Sequence, residues 1–287
     1  MALTAHTQLL GVLGDPIHHS LSPTMHNAAL AELGLDYVYL AWRVAAADLA
    51  TAVAGLRAIG VRGFSVTIPH KQAIMPLLAE ITPEAAAIGA VNTVWATPQG
   101  WAGTNTDVAG FIAPLAGGRD WSGARALVLG NGGAARAAIA GCAHLGFGAI
   151  AVVGRQAAKL ATLQADWAKS PQPPPLTVHA WEDLPQCLAA VDLVVNTTPL
   201  GMGALAAESP LSGFELAQLP DQATVYDLIY NPRPTRLLQL AAARGLTPLD
   251  GLEMLVQQGA AALSIWLGQP APVDTMRSAL VNWLETH

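Results

Sequence analysis

Apolar and polar positions along this chain switch repeatedly between a period of two and a period of about 3.6, the alternation expected of strands and helices taking turns. In the first hundred residues, β-branched and aromatic runs predict strands at 9–14, 37–44 and 63–69. A helix over 22–33 opens on Ser22 as its cap with Pro23 in its first turn and stops at Gly34; a second, over 48–59, stops at Gly60. Residues 91–106 read as a hairpin, VNTVWAT then GWAGTNT about Pro98-Gln99-Gly100, leading into a helix from Asp107. A new series begins at Ala124: strand 124–130, a glycine turn, a helix to Leu145, strand 149–155, helix 157–167, strand 176–181, helix 183–190, and strands at 192–198 and 224–230. The proline-rich stretch 170–175 reads as an exposed extended connection, and 252–267 is helical in pattern. This is an α/β chain without internal repeats.

Composition narrows the classes open to it. At 287 residues and 52% hydrophobic content, the chain is long enough to bury one large or two ordinary domains. A net charge of −6 offers no basic field for nucleic acid or anionic lipid. No apolar run reaches the roughly 18 residues of a membrane span, and MALTAHTQ at the start does not resemble a signal peptide. Cys142 and Cys187 form no CxxC pair, as expected of thiols in a reducing, cytoplasmic compartment. His18, His19, His26 and His70 match no zinc-site spacing, so no metal is expected.

Candidate chemistry sits at strand ends. GFSVTIPHK at 63–71 is a short strand stopped by Pro69, which places Lys71 at a strand-to-helix corner. Open α/β sheets bind ligands at such corners. A lone lysine there is more often a solvated surface group, so its companions decide. Asp107 reads either as the cap of the helix it opens or, with Thr106 as cap, as a carboxylate free to pair with a cation. Asn92 is expected near the base of the same hairpin.

Gly130-Asn131-Gly132-Gly133-Ala134-Ala135 follows an apolar strand and opens a helix, the context a dinucleotide fingerprint requires. Gly130 permits the tight turn, Gly132 clears the approach of a pyrophosphate, and Ala135 allows close helix–strand packing. The next strand ends in Gly154-Arg155, with Lys159 one turn on. An NAD site would carry an acid there. Two cations instead suit a 2′-phosphate, and NADP is the expected cofactor.

GDPIHHSLSP at 14–23, SVTIPHK, AVNT at 90–93 and NTD stand in the order and spacing of shikimate dehydrogenases. GNGGAARA at 130–137, NTTPLGM at 196–202, YDLIYNP at 226–232 and DGLEMLVQQGA at 250–260 continue the resemblance, which spans about 11–267. It implies a substrate domain at 1–106 joined by a returning C-terminal helix at 252–287, and a Rossmann-type NADP domain at 107–251. It implies reversible reduction of 3-dehydroshikimate to shikimate in aromatic amino acid (chorismate) biosynthesis, by a cytoplasmic monomer or homodimer. Lys71 would be the general acid/base and Asp107 its ion-pair partner. Ser20, Ser22 and Tyr230 would hold the substrate carboxylate, while Thr67, Asn92, Asp107 and Gln258 would meet its ring hydroxyls. Thr197, Thr198, Pro199, Met202, Ile229 and Gly251 would line the nicotinamide pocket. Two positions depart from the family's usual residues, Ser65 and Gly154, each standing where asparagine is common. An NAD-preferring quinate/shikimate dehydrogenase and a catalytically silent NADP-binding regulator remain as alternatives. Arg155 with Lys159 bears on the first, Lys71 with Asp107 on the second.

Overall fold

The computed structural model describes residues 3–170 and 172–287, so Met1, Ala2 and, within the proline-rich stretch, Pro171 lie outside the described residues. The chain divides into two compact units, residues 1–110 with 255–287, and residues 111–254.

The first unit begins with β1 (Gln8–Gly14), α1 (Ser22–Glu32), β2 (Tyr37–Arg43), α2 (Leu49–Ala58) and β3 (Gly63–Val66). There follow β4 (Glu80–Ile81), α3 (Pro83–Ile88), β5 (Thr93–Thr97), β6 (Gly100–Thr104) and α4 (Asp107–Ile112). The strands form one sheet in the order β2-β1-β3-β5-β6-β4, parallel from β2 to β3 and antiparallel through the β5–β6 hairpin. β1 is buried from Leu10 onward and β3 along its whole length, which is why both read as near-continuous apolar runs.

The second unit contains β7 (Arg125–Leu129), α5 (Gly133–His144), β8 (Ala149–Gly154), α6 (Ala157–Ala168), β9 (Leu176–Ala180) and β10 (Leu193–Asn196). It continues through α7 (Gly213–Leu216), β11 (Thr224–Asp227), α8 (Arg236–Ala243) and β12 (Thr247–Leu249). All six strands are parallel, in the order β12-β11-β10-β7-β8-β9. That is the doubly wound dinucleotide-binding order, and its strand order reverses between β7 and β10. Leu127, Leu129, Val194 and Val225 of the strands pack with Leu237 and Leu238 of α8 in the core.

Two helices close the chain, α9 (Leu252–Leu267) and α10 (Val273–Thr286). From Leu255 onward they belong to the first unit. The Trp266 indole N–H of α9 donates to the Val94 carbonyl at 2.9 Å. Its ring lies so close over Gly63 that a Cβ there would stand 2.3 Å from it. Only glycine in β3 leaves room for this contact.

Beside it, His26 of α1 is fully buried and stacks on Tyr39 with ring centroids 4.1 Å apart, and among the described residues neither ring nitrogen has a hydrogen-bond partner. Burial pushes its pKa down to about 3. The unfolded chain protonates this imidazole near ~6.5. The unfolded state therefore binds more protons than the native one between pH 6.5 and about 3, and native stability falls as pH drops through that window. His26→Phe keeps a stacking ring without the proton site. Its urea midpoint should match the parent's at pH 7 and exceed it at pH 4; equal losses on acidification in the two proteins would remove His26 as the source.

The sequence reading departs from the structure at several places. Residues 183–190, expected as a helix, form a 3-10 turn over Trp181–Cys187, because Pro185 lies inside the segment and interrupts α-helical bonding. The strand expected at 63–69 stops at Val66, and Lys71 is followed by turns and a short 3-10 segment containing Pro76 rather than by an α-helix. Ser22 is the first helical residue and not the cap, which is Leu21; the Ser22 N–H is taken by Ser20 Oγ at 3.3 Å.

Candidate active site

In the first unit, the end of β3, the loop before β5 and the start of α4 converge on one buried polar cluster. Lys71 Nζ donates to Asp107 Oδ2 at 2.5 Å, with the two side chains 14% and 7% exposed. The other carboxylate oxygen, Oδ1, accepts from Asn92 Nδ2 at 2.8 Å, which fixes the plane of the carboxylate. Asn92 makes further bonds of its own. Its Nδ2 also reaches Thr106 Oγ1 at 3.0 Å and Gln258 Oε1 at 3.4 Å, and its Oδ1 accepts the Thr106 N–H at 2.7 Å and the Thr93 hydroxyl at 3.0 Å. Asn105 steadies the turn from both ends, accepting the Asp107 N–H at 3.0 Å and donating to the Ala90 carbonyl at 3.0 Å. A buried charge pair is sustained only where its remaining hydrogen-bonding capacity is met, and this web meets it.

Thr93, Asn105 and Thr106 in this web go beyond the site residues picked from sequence. The signal for Asn105 and Thr106 was the run TNTD after a strand, where small polar residues offer the backbone local bonds, while Thr93 closes the AVNT run. His70 turns away from the lysine: its Nε2 lies 2.7 Å from the Val44 carbonyl, so that nitrogen carries the proton and donates. It thereby anchors the loop that carries Lys71, whose own carbonyl accepts the Val91 N–H at 2.8 Å.

Five further candidate residues lie in the first unit. Ser20 Oγ and Ser22 stand at the start of α1, and Thr67 follows β3. Among the described residues, the Ser22 and Thr67 hydroxyls make no hydrogen bond. Ser65 is buried, and its hydroxyl accepts from the Tyr39 hydroxyl at 3.0 Å. Gln258 sits on α9, its Nε2 donating to the Leu255 carbonyl at 2.8 Å.

In the second unit, the glycine loop joins β7 to α5. Gly130 has φ +107°, and a Cβ there would stand 2.6 Å from Thr197 Oγ1, so both conformation and crowding demand glycine. A Cβ at Gly132 would meet nothing within 4 Å; the backbone is open to an approaching group. Gly133 and Ala134 start α5, and Ala135 is buried against the sheet. At the end of β8, Arg155 and Lys159 are exposed and, among the described residues, make no ion pair or side-chain hydrogen bond. An open glycine turn at a helix start beside two free cations fits a dinucleotide with an added phosphate.

The turn after β10 lies across the sheet's switch point from that loop, Thr197 donating to the Leu129 carbonyl through both its N–H, at 3.0 Å, and its hydroxyl, at 2.7 Å. The turn is shaped by a network that sequence reading missed. Asp227 accepts from Asn196 Nδ2 at 3.0 Å, the Ile229 N–H at 3.2 Å and the Thr235 hydroxyl at 2.7 Å. Asn196 Oδ1 in turn accepts the N–H and hydroxyl of Thr198, at 3.0 and 2.7 Å. Burial pushes the Asp227 carboxyl up to about 6 despite these bonds. Pro199 and Met202 complete the turn, the Met202 N–H donating to the Pro199 carbonyl at 3.1 Å. Ile229 is buried beside it, and Gly251 donates to the Ile229 carbonyl at 3.1 Å. Tyr230 follows, half-buried.

Among the described residues, no group of three His, Cys, Asp or Glu side chains could hold a metal ion, and no helix is long and apolar enough to cross a membrane.

Comparison with known proteins identifies the family. Residues 12–94 match the shikimate dehydrogenase substrate binding domain, and residues 251–281 the shikimate 5'-dehydrogenase C-terminal domain. The chain is 58% identical over 285 residues to the shikimate dehydrogenase (NADP(+)) of Trichormus variabilis, covering 98% of this chain and 99% of the relative. A crystal structure of a shikimate dehydrogenase in complex with NADP+ superposes with a TM-score of 0.88 at 35% identity, covering 99% and 98% of the two chains. The ligand-free 5-ketofructose reductase of Gluconobacter sp. strain CHM43 gives 0.81 at 35% identity, with 97% and 99% covered. With relatives of this identity matched along nearly their whole length, the chain belongs to the shikimate dehydrogenase family.

Proposed function

We propose that this chain catalyses the reversible reduction of 3-dehydroshikimate by NADPH to shikimate and NADP, as an NADP-dependent oxidoreductase of aromatic amino acid biosynthesis. The observation that carries the reading is the nearly buried Lys71–Asp107 pair, 2.5 Å apart beyond a strand end. A lysine with one side taken by a carboxylate still has two ammonium protons to give. As the substrate carbonyl becomes an alkoxide, Lys71 stabilises the developing charge and delivers one proton to that oxygen; in the reverse direction it accepts the proton of the hydroxyl. Asp107, held by Asn92, orients the ammonium and keeps it in place. The glycine loop, Arg155 and Lys159 would hold the cofactor, which would give a hydride as NADPH and take one back as NADP.

In this reading residues 1–106 with 252–287 carry the substrate and 107–251 the cofactor, and the protein works in the cytoplasm as a monomer or homodimer. Ser20, Ser22 and Tyr230 hold the substrate carboxylate. Thr67, Gln258 and Asn92 meet ring hydroxyls, and Ser65 contributes through the hydroxyl pair it makes with Tyr39. Thr197, Thr198, Pro199, Met202, Ile229 and Gly251 form the nicotinamide side. Replacing Ser20 and Ser22 together by alanine should weaken shikimate binding about tenfold, with NADP affinity nearly unchanged. If an analogue lacking the carboxylate lost as much affinity in the double variant, the serines would not be its ligands.

The reading as a whole is tested by a substrate panel: NADPH oxidation with 3-dehydroshikimate and with 5-ketofructose, beside oxidation of shikimate and quinate with NADP and with NAD. The expected order puts 3-dehydroshikimate and shikimate with the phosphorylated cofactor first. Faster turnover of quinate with NAD, or of 5-ketofructose, would replace it.

A further inference from the structure

We infer that the Asn131 carboxamide is a determinant of dinucleotide choice, filling the space that a side chain at position 154 would occupy and offering a donor to the phosphate on the adenosine ribose. The inference rests on reading the second unit as an NADP site. An ideal Cβ placed on Gly154 would lie 3.0 Å from Asn131 Nδ2 and 3.3 Å from its Cγ. The amide thus leans from the glycine loop onto the bare end of β8. Its Nδ2 is buried there and has no hydrogen-bond partner among the described residues.

A buried donor without an acceptor is unfavourable, and a loop amide could avoid that by facing water. Packing against Gly154 holds it instead. The terminal torsion of asparagine is broad and roughly two-fold, so the amide can turn its donor outward once an acceptor there compensates for the packing given up. The turn sacrifices no hydrogen bond, because that donor has none to lose. A phosphate oxygen would supply the missing acceptor. Arg155 is adjacent to Gly154 in sequence and Lys159 lies one helical turn on, both exposed and free of ion pairs among the described residues. One amide N–H beside two cations matches a dianionic group. A plain ribose, with hydroxyls only, leaves the cations unused. Gly154 is then no simple loss: the asparagine common there in the family would crowd Asn131, which would have to give way by a few tenths of an ångström, and the chain carries its carboxamide on the neighbouring strand end.

Calorimetric titration with NADP and with NAD tests this on the whole protein. Asn131→Ala should weaken NADP binding about five- to twentyfold and change NAD binding less than twofold. Gly154→Asn alone should also weaken NADP through crowding, and Asn131→Ala with Gly154→Asn should regain most of the loss. Equal losses for both dinucleotides, no loss in Asn131→Ala, or no recovery in the double variant would overturn the inference. If the parent protein failed to prefer NADP over NAD, the cofactor reading would fall with it; a parent preference that persists undiminished in Asn131→Ala would sink the inference alone.

Discussion

Lys71→Ala lowers kcat by about 10²–10⁴, the usual worth of a positioned acid/base, with only a modest change in the KM for substrate. The split follows from where the ammonium acts. It meets a neutral carbonyl in the ground state and a developing alkoxide in the transition state, so most of its interaction appears only as the reaction proceeds. Asp107→Ala lowers kcat as well, because it frees the ammonium from the position that Asn92 and the start of α4 impose on it. Each single variant leaves one charge of a nearly buried pair uncompensated, so circular dichroism and an urea midpoint must accompany the kinetics. The double variant removes both charges and should cost much less in kcat than the product of the singles. Full multiplicativity with an intact fold would mean that the two residues do not act as a unit.

Arg155→Ala weakens NADPH binding about tenfold to a hundredfold and leaves NADH binding within about twofold, as expected of one charge-assisted contact to a phosphate. Lys159→Ala acts in the same direction and less, since an ammonium on a flexible stem lacks the planar fork of the guanidinium. Both side chains are exposed, so the effect should shrink as salt rises. Titrations at low and high ionic strength measure this directly. Equal losses for the two dinucleotides would take phosphate recognition away from these residues.

Much of this was legible in the sequence for identifiable reasons. The strand stopped by Pro69 and the glycine turn after β7 are short-range features, written in a few adjacent residues. Alternation of strand and helix periods pointed to the α/β class that the two sheets bear out. What stayed hidden depends on contacts between distant residues. Asn196 and Asp227 stand at the ends of adjacent strands and meet only because β10 pairs with β11. The lean of Asn131 onto Gly154 likewise needs β7 beside β8. Short elements such as β4 and α3 are too brief to show a period. The 3-10 turn at Trp181–Cys187 has a polar–apolar spacing that resembles a helix, and Pro185 within it decides against one. α8 has a legible signal, a Thr235 cap, Leu237, Leu238 and Ala241 buried, and Gly245 beyond its end, yet it stands outside the elements the period reading named.

The most direct test follows one hydrogen. With 3-dehydroshikimate and NADPH deuterated at the transferable position, mass spectrometry of the product should find one deuterium on the ring carbon bearing the new hydroxyl, formed in step with NADPH loss. The same experiment with Lys71→Ala should give the same label at a rate lower by about 10²–10⁴. Label absent from that carbon, or wild-type and Lys71→Ala proteins forming labelled product at equal rates, would contradict hydride transfer assisted by the Lys71–Asp107 pair.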